Sequence, residues 1–286
     1  MPGLRGKTAF VTGSSRGIGA EIAMRFAEEG ANVVVTGKTV EPHPKLPGTI
    51  HEVAAECEQR GGRALALQLD LRDEQQIFAA VEKTVETFGG IDVLVNNASA
   101  QTFTKTPDTT PKQFDLMFDI NTRGTFFCGQ ACYPHLLKSD NPHILTIAAA
   151  INPDPRWYAE RLARTMSKYG MAMCTIGWAE EVRGEGIASN ALWPHYAVAT
   201  AAVKWSNPEM YEACRRPRIM ADAAHEIVTR PARECTGNFY LDDEVLREAG
   251  WDEARIEAYW MHPEKRSRTS SFLDYDGRAA SFRADR

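Results

Sequence analysis

The sequence of 286 residues has no long apolar run, no excess of positive charge and no closely spaced pair of cysteines. A membrane-spanning helix needs about 20 consecutive apolar residues, so we expect none and predict no membrane partner. The net charge of −5 argues against a nucleic-acid partner, because proteins that bind nucleic acids carry a basic excess that neutralises phosphates. The residues after Met1 lack the apolar core of a secretory signal, so we expect a cytoplasmic protein.

The cysteines are dispersed along the chain, at Cys57, Cys128, Cys132, Cys174, Cys214 and Cys235. Without a Cys-x-x-Cys pair, this pattern favours the reduced, buried thiols of a cytosolic protein. Cys128 and Cys132 would share one face of a helix, but no second pair of cysteines or histidines follows them. The sequence therefore predicts no metal site.

Short apolar segments alternate with longer amphipathic ones over the first two thirds of the chain. The predicted strands are 8–11, 32–36, 64–69, 91–95, 143–147 and 187–192, and the clearest predicted helices are 20–29, 74–88 and 163–182. Strands that are apolar on both faces and separated by helices indicate a parallel sheet covered on both sides. A TIM barrel alternates in the same way, but a glycine-rich first turn favours an α/β fold with a Rossmann-type, doubly wound sheet of about seven strands.

We predict one domain over residues 1–250 and a C-terminal tail, polar and rich in arginine, over residues 251–286. The proline-rich segment 41–48 is predicted to be a loop. Residues 196–217 are irregular and contain Tyr196, Val198, Val203, Trp205, Met210 and Tyr211. This composition predicts a lid over a lipophilic or aromatic small-molecule substrate, and the packing of a short helix pair is the alternative explanation.

Three glycines follow the first predicted strand and open the first helix. Such glycines allow a sharp turn, the close approach of a pyrophosphate and tight packing of the helix on the sheet. The N-terminus of the helix offers free N–H groups and a partial positive charge to phosphates. The predicted dinucleotide site at this turn comprises Gly13, Ser15, Arg16, Gly17, Ile18 and Gly19.

The second predicted strand ends in Thr36-Gly37-Lys38, without the acidic residue that usually binds the ribose hydroxyls of NAD. Arg16 and Lys38 instead supply positive charge for a 2′-phosphate, which favours NADP(H) as the cofactor. A solvated loop lysine is the alternative for Lys38. Further candidates follow the third and fourth strands at the same edge of the sheet, namely Asp70, Leu71, Asn97 and Ala98.

The chain resembles the short-chain dehydrogenase/reductase family over residues 6 to about 245. The resemblance rests on Thr12-Gly13-x-x-x-Gly17-x-Gly19, Asp70, Asn96-Asn97-Ala98, Asn121 and Lys168, which occur in the order and spacing of that family. The proline-rich loop and Ala191-Leu192-Trp193-Pro194 are similar to its hydroxysteroid-dehydrogenase-like branch. The resemblance implies an NADP(H)-dependent oxidoreductase, and a homodimer or homotetramer packed through long helices at residues 111–138 and 161–182.

The catalytic set of that family comprises a serine after strand five, a Tyr-x-x-x-Lys motif on the next helix and an upstream asparagine. Lys168, which also binds the nicotinamide ribose there, and Asn121 match this set. Arg164 stands at the tyrosine position and Ala148 at the serine position. The resemblance therefore implies an atypical active site, because an arginine cannot deliver a proton near neutral pH. Arg164 could instead bind a substrate carboxylate or polarise a substrate oxygen.

Three functions remain open at this point. The first is hydride transfer from NADPH to an already activated C=N bond, such as an iminium, which needs no strong acid. The second is a non-redox reaction, namely a cyclisation, an elimination or an isomerisation, and the third is a catalytically silent NADP(H)-binding protein. Other candidate proton donors are Tyr158, His195 and Tyr196, with Pro194 just before the last two, near the expected nicotinamide position.

Overall fold

The computed structural model describes residues 3–44 and 46–273, apart from the side chain of Ser206. Its strands are β1 (Thr8–Val11), β2 (Asn32–Gly37), β3 (Arg63–Gln68), β4 (Val93–Asn96), β5 (His143–Thr146), β6 (Ala188–Trp193) and β7 (Phe239–Leu241). They form one seven-stranded sheet in the order β3-β2-β1-β4-β5-β6-β7, and every neighbouring pair is parallel. The predicted Rossmann-type, doubly wound α/β fold is confirmed.

Helices cover both faces of this sheet. They are α1 (Gly17–Ala27), α2 (Ile50–Gln59), α3 (Glu74–Phe88), α4 (Pro111–Met117), α5 (Gly124–Leu136), α6 (Leu162–Glu181), α7 (Ala201–Ser206), α8 (Pro208–Glu212), α9 (Arg218–Val228), α10 (Asp242–Glu248) and α11 (Glu253–Glu257). A π-helical segment, Phe118–Arg123, joins α4 to α5, so the region predicted as one helix over 111–138 has three parts. The described ranges contain no helix long and apolar enough to cross a membrane.

The core is divided by the sheet into two apolar layers. On one face, α1, α2, α9 and α10 contribute side chains such as Phe26 and Ile227, and on the other face α3, α5 and α6 contribute side chains such as Ile77 and Trp178. The central strands β1, β2, β4, β5 and β6 are buried along their whole length. This double burial explains why these strands read as continuous apolar runs rather than as alternating patterns.

The segment after residue 250, predicted as a tail, packs on the same chain as far as Leu273. Ile256, Trp260, Phe272 and Leu273 are all buried. The Arg216 N–H donates to the carbonyl of Tyr259 at 2.7 Å. The tail residues beyond 273, among them the aromatic Tyr275 and Phe282, lie outside the described residues.

Candidate active site

The glycine-rich turn between β1 and α1 is shaped by close backbone contacts. Gly13 and Gly17 have φ values of 64° and 61°, which glycine adopts without strain. A Cβ atom on Gly13 would lie 2.7 Å from the Cα of Ala98, and one on Gly19 would lie 2.4 Å from Nδ2 of Asn97. Only glycine therefore fits either position. Asn97 acts as a support here, since Nδ2 donates to the carbonyls of Thr12 and Gly13 at 2.9 and 3.0 Å.

A cleft of about 330 Å³ opens at the carboxyl edge of the sheet, next to this turn. Nine of the predicted cofactor residues line it: Gly13, Arg16, Gly17, Ile18, Lys38, Asp70, Leu71, Asn97 and Ala98. Four others, Ser15, Gly19, Lys168 and Pro194, are not among its lining residues. The lining residues that the sequence did not single out are Thr36, Gly37, Leu69, Ser99, Ile120, Thr200, Ala201 and Ala202. The missed residues at strand ends could have been predicted from the sequence, because ligands bind at the carboxyl edge of doubly wound sheets.

Three of the cleft-lining residues that the sequence did not single out come from the segment predicted as a lid, namely Thr200, Ala201 and Ala202. Thr200 caps α7 by accepting a hydrogen bond from the N–H of Val203, which places the first turn of α7 over the cleft. A Cβ atom on Gly17 would lie 3.5 Å from the methyl group of Thr200, so the segment after Pro194 reaches the glycine-rich turn itself. The Trp205 side chain points away from the core and is 62% exposed.

The two predicted phosphate ligands, Arg16 and Lys38, both line the cleft. Arg16 precedes α1 and donates to the carbonyl of Gly48, at 2.9 Å, so it is held by the proline-rich loop. The Arg16 Nε atom is buried and has no partner among the described residues. Lys38 is half exposed and its Nζ lies 2.9 Å from Oδ2 of Asp70. The hydrogen bond from Arg72, followed by that from Lys38, holds the pKa of Asp70 well below its usual range.

This chemistry fits the phosphates of a dinucleotide. An orphaned guanidinium N–H, an exposed ammonium and the N-terminus of the 11-residue helix α1 converge on one cleft. The carboxylate of Asp70 already carries two cationic partners, Lys38 and Arg72, so an added phosphate would not meet an unpaired negative charge there. Arg16, Lys38 and the backbone N–H groups of the turn would hold the phosphates.

Lys168 lies on α6 and is only 4% exposed. Its Nζ lies 3.4 Å from the carbonyl oxygen of Ile147 and 5.5 Å from the centre of the Trp193 ring. Burial and, after it, the positive charge of Arg164 lower the pKa of Lys168 from 10.5 to about 7. With a pKa of about 7, the Lys168 side chain is partly neutral at physiological pH. A ligand with oxygen acceptors would favour its charged form.

Asn121 lies in the π-helical segment and is fully buried. Its side chain bonds both backbone groups of Ala100 at 2.8 Å and donates to Oγ of Ser167 at 3.0 Å. Ser167 directly precedes Lys168, so Asn121 connects the loop after β4 to the helix that carries the lysine.

Arg164 lies one helical turn before Lys168 and is 7% exposed. Its Nε donates to Oε1 of Gln101 at 2.9 Å. The guanidinium carbon lies 5.3 Å from the ring centre of Phe103 and 5.1 Å from that of Phe272. Burial, followed by the charge of Arg161, lowers the pKa of Arg164 to about 10, so the group remains a cation at neutral pH. No carboxylate of the described residues forms an ion pair with it.

An aromatic cluster stands beside these two cations. The Phe272 ring lies 5.2 Å from Tyr169, 5.7 Å from Trp157 and 5.8 Å from Trp193, measured between ring centres. Ala149, just after β5, belongs to the same buried cluster. The C-terminal segment therefore contributes Phe272 to the site, next to Arg164. The polar composition of that segment did not indicate this contribution.

Side-chain donors bind the backbone carbonyls of this C-terminal segment and hold it in place. The Asn152 side chain donates to the carbonyl of Phe272 at 3.1 Å, and Arg156 donates to that of Leu273 at 2.8 Å. The Trp193 indole N–H donates to the carbonyl of Ser271 at 2.9 Å. Each donor side chain is thereby directed to the backbone of the C-terminal segment.

The three predicted alternative proton donors are engaged in other contacts. The Tyr158 hydroxyl donates to the carbonyl of Asn152, at 3.2 Å. Nδ1 of His195 lies 2.9 Å from a carboxylate oxygen of Asp243. Tyr196 stacks on His195 with ring centres 4.5 Å apart. These contacts separate the three residues into two groups, with Tyr158 in the aromatic cluster and the other two beside α10.

A buried ion pair supports His195. Arg215 donates to the second oxygen of Asp243 at 2.9 Å and is itself 2% exposed. Burial alone would raise the pKa of Asp243, but His195 and Arg215 hold it below its usual range. Burial and then the charge of Asp243 raise the pKa of the neighbouring Asp242. The sequence did not indicate this cluster, because its members come from three separate segments.

Comparison with known proteins identifies the family. The family model described as short chain dehydrogenase matches residues 7–210, most of the chain. This protein belongs to the short-chain dehydrogenase family. The predicted resemblance is therefore confirmed. The carboxyl-edge cleft lies where nicotinamide cofactors bind in doubly wound sheets of this kind.

Relatives of this short-chain dehydrogenase are similar over nearly its whole length. It is 50% identical over 272 residues to hydroxysteroid dehydrogenase-like protein 2 of Danio rerio, which covers 95% of this chain and 65% of the relative. The chain thus spans slightly less than two thirds of the length of that curated relative. A crystal structure of a candidate dehydrogenase from Xanthomonas campestris is 49% identical, with a TM-score of 0.92 over 96% of this chain and 100% of that one.

A more distant relative was solved with a cofactor. A metagenomic short-chain oxidoreductase in complex with NADP is 27% identical, with a TM-score of 0.70 over 83% of this chain and 97% of that one. The likeness extends over most of the fold of this short-chain dehydrogenase.

Proposed function

We propose that this protein is an NADP(H)-dependent oxidoreductase that reduces an already activated C=N bond, such as an iminium, in a small lipophilic substrate. The observation that carries the proposal is the contrast between two halves of one site. The cofactor cleft has its glycine-rich turn, two cations and no acid after β2. By contrast, Arg164 on α6 and Ala148 after β5, which stand at the family's tyrosine and serine positions, offer no side chain that releases a proton at neutral pH.

The cofactor, when bound, supplies a hydride to the substrate. A ketone that accepts a hydride becomes an alkoxide and requires a proton donor, whereas an iminium carbon that accepts a hydride becomes a neutral amine without one. Arg164 would hold and orient the substrate by hydrogen bonds, and Lys168 would hold oxygen atoms of the bound cofactor. Trp193, Tyr169 and Phe272 exclude water from this side of the site.

The test is a panel in which NADPH oxidation is followed by absorbance while product is analysed by mass spectrometry. The proposal expects NADPH-dependent reduction of cyclic imines and iminium ions at rates well above those for the corresponding ketones. Product formation without NADPH oxidation would instead identify a non-redox enzyme. Tight NADPH binding with neither activity would identify a catalytically silent cofactor-binding protein, and a lack of NADP(H) binding by calorimetry would falsify the proposal at its base.

We also propose that α5 and α6 pack against a second copy of this chain. Phe126, Met166 and Met173 are 46%, 43% and 62% exposed on these helices. Next to them, a groove of about 250 Å³ is lined in part by Phe126, Trp178 and Val182. Exposed apolar area of this kind is stabilised when another surface covers it.

A further inference from the structure

We propose that Arg164, with Gln101 and Phe272, is a binding site for a carboxylate, and that the substrate is an organic acid with an apolar or aromatic body. The inference rests on the proposed function for the identity of the reaction, but the anion site itself follows from the geometry around one guanidinium group.

The Arg164 guanidinium is a buried cation that has no counter-ion among the described residues. The side chain is 93% removed from solvent, given its 7% exposure, yet the described residues place no carboxylate against it. A second cation adds positive charge nearby, because Arg161 precedes Arg164 by one turn. A buried charge is costly unless an opposite charge and hydrogen bonds compensate it, so this position calls for an anion.

The hydrogen-bond directions of Arg164 indicate the shape of that anion. The Nε–H is already used by Gln101 at 2.9 Å. The two terminal nitrogens have no hydrogen-bond partner in the described part of the chain. Among the described residues, the end of the guanidinium fork therefore keeps its N–H groups for a ligand. A planar carboxylate accepts two parallel N–H bonds from such a fork, whereas a single carbonyl oxygen would leave one nitrogen unpaired.

The surroundings of the fork indicate the rest of the ligand. Phe272 lies 5.1 Å from the guanidinium carbon, and its ring continues into the buried cluster with Tyr169 and Trp193. An apolar or aromatic body attached to the carboxylate would lie against these rings. The same arrangement resolves an electrostatic problem of the proposed reaction, because an iminium cation beside Arg164 would otherwise face a like charge. A carboxylate on the same molecule neutralises Arg164 and permits the iminium to approach.

The test measures binding of phenylacetate and of its neutral analogue phenylacetamide by isothermal titration calorimetry. We expect the full-length protein to bind the acid at least about tenfold more tightly than the amide, the difference that one charge-assisted pair provides. Arg164→Met should reduce this preference to less than about twofold, and Arg164→Lys, which keeps the charge but loses the fork, should give an intermediate value.

Arg161→Met is the matched control. Arg161 lies on the turn before Arg164, contacts the same Phe103 ring at 5.0 Å and is exposed. Its replacement removes one positive charge from this region without touching the fork, so the preference for phenylacetate should be retained. Equal binding of acid and amide by the unmodified protein, or a preference that persists in Arg164→Met, would overturn the inference.

This outcome is separable from that of the proposed function. Phenylacetate binding requires no turnover, so an Arg164-dependent preference stands even if no substrate is reduced. Conversely, if a cyclic iminium that carries a carboxylate is reduced as well by Arg164→Met as by the unmodified protein, hydride transfer is retained and the carboxylate inference is wrong.

Discussion

Arg164 and Lys168 lie one turn apart on α6, both buried, and neither has an acidic partner in the described ranges. Two cations in one enclosed region raise the cost of keeping either charged, and the lysine, with its lower intrinsic pKa, is the one that yields its proton. The charge of Arg164, in the proposed substrate site, thus affects the protonation of Lys168, a predicted cofactor ligand.

The pKa of Lys168 predicts a pH dependence of stability. Its value is about 7 in the folded chain and 10.5 when exposed, so between these pH values the unfolded state binds more protons and the stability contribution rises with pH. Relative to Lys168→Met, the unmodified protein should therefore be least stable below about pH 7 and should gain stability toward about pH 10. Urea unfolding across this range measures the difference, and Lys138→Met, at an exposed lysine, should show none of it.

Cofactor preference depends on the two cations of the cleft. Lys38→Met or Arg16→Met should weaken NADPH binding by about tenfold or more, because a phosphate loses one charge-assisted partner, while NADH binding changes little. Titration of both cofactors by fluorescence measures the effect, with the exposed Lys83→Met on α3 as a control. Parallel weakening of NADPH and NADH would contradict a role at the 2′-phosphate.

Restoring the usual donors should change the reaction. Arg164→Tyr combined with Ala148→Ser adds a hydroxyl on α6 and another after β5, and a tyrosine beside Lys168 can release a proton. We expect the double variant to reduce simple ketones with NADPH at a rate clearly above that of either single variant. If the double variant gains nothing while NADPH binding is unchanged, the pocket differs from a ketone reductase at more than these two positions.

The C-terminal segment is predicted to be part of the folding unit through Phe272. This is the one non-glycine residue with positive φ in the described ranges, at 75°, and its ring is 1% exposed. Phe272→Ala should cost about 3–5 kcal/mol in the free energy of unfolding, as for other buried aromatic residues. Phe272→Gly should cost about 1 kcal/mol less than the alanine variant, because glycine relieves the backbone strain. A loss below about 1 kcal/mol for Phe272→Ala would show that the segment contributes little.

Self-association should respond to a charge on α6. Met173 is the most exposed large apolar side chain of α5 and α6, at 62%. Met173→Lys should lower the oligomeric mass found by analytical ultracentrifugation, because a buried lysine in an apolar interface is strongly unfavourable. Lys138→Met serves again as a matched exposed change. An unchanged mass would contradict the proposed α5–α6 interface.

Local sequence patterns were sufficient to predict the sheet and most residues that line the candidate cofactor cleft. The strands near residues 8, 32 and 143 begin where predicted, because strands buried on both faces are continuous apolar runs. The short strand β7, with only three residues, had no comparable run. Gly13 and Gly19 were identifiable because a tight turn leaves glycine as the one residue that fits, and this signal is contained within nine residues of chain.

The surroundings of Arg164 in the proposed substrate site follow from tertiary packing. Arg164 was visible in the sequence as an unusual residue, yet nothing there indicated that Gln101 takes its Nε–H, that Phe272 packs on it, or that no carboxylate of the described residues pairs with it. These partners lie 63 residues before it and 108 after it, at separations over which local patterns carry no information. The sequence by itself determined the family, the sheet and the glycine-rich turn, since each is recognisable from local patterns and motif spacing. Only the three-dimensional structure brought the C-terminal segment to α6, because that contact depends on burying Phe272 in a cluster built from five distant parts of the chain.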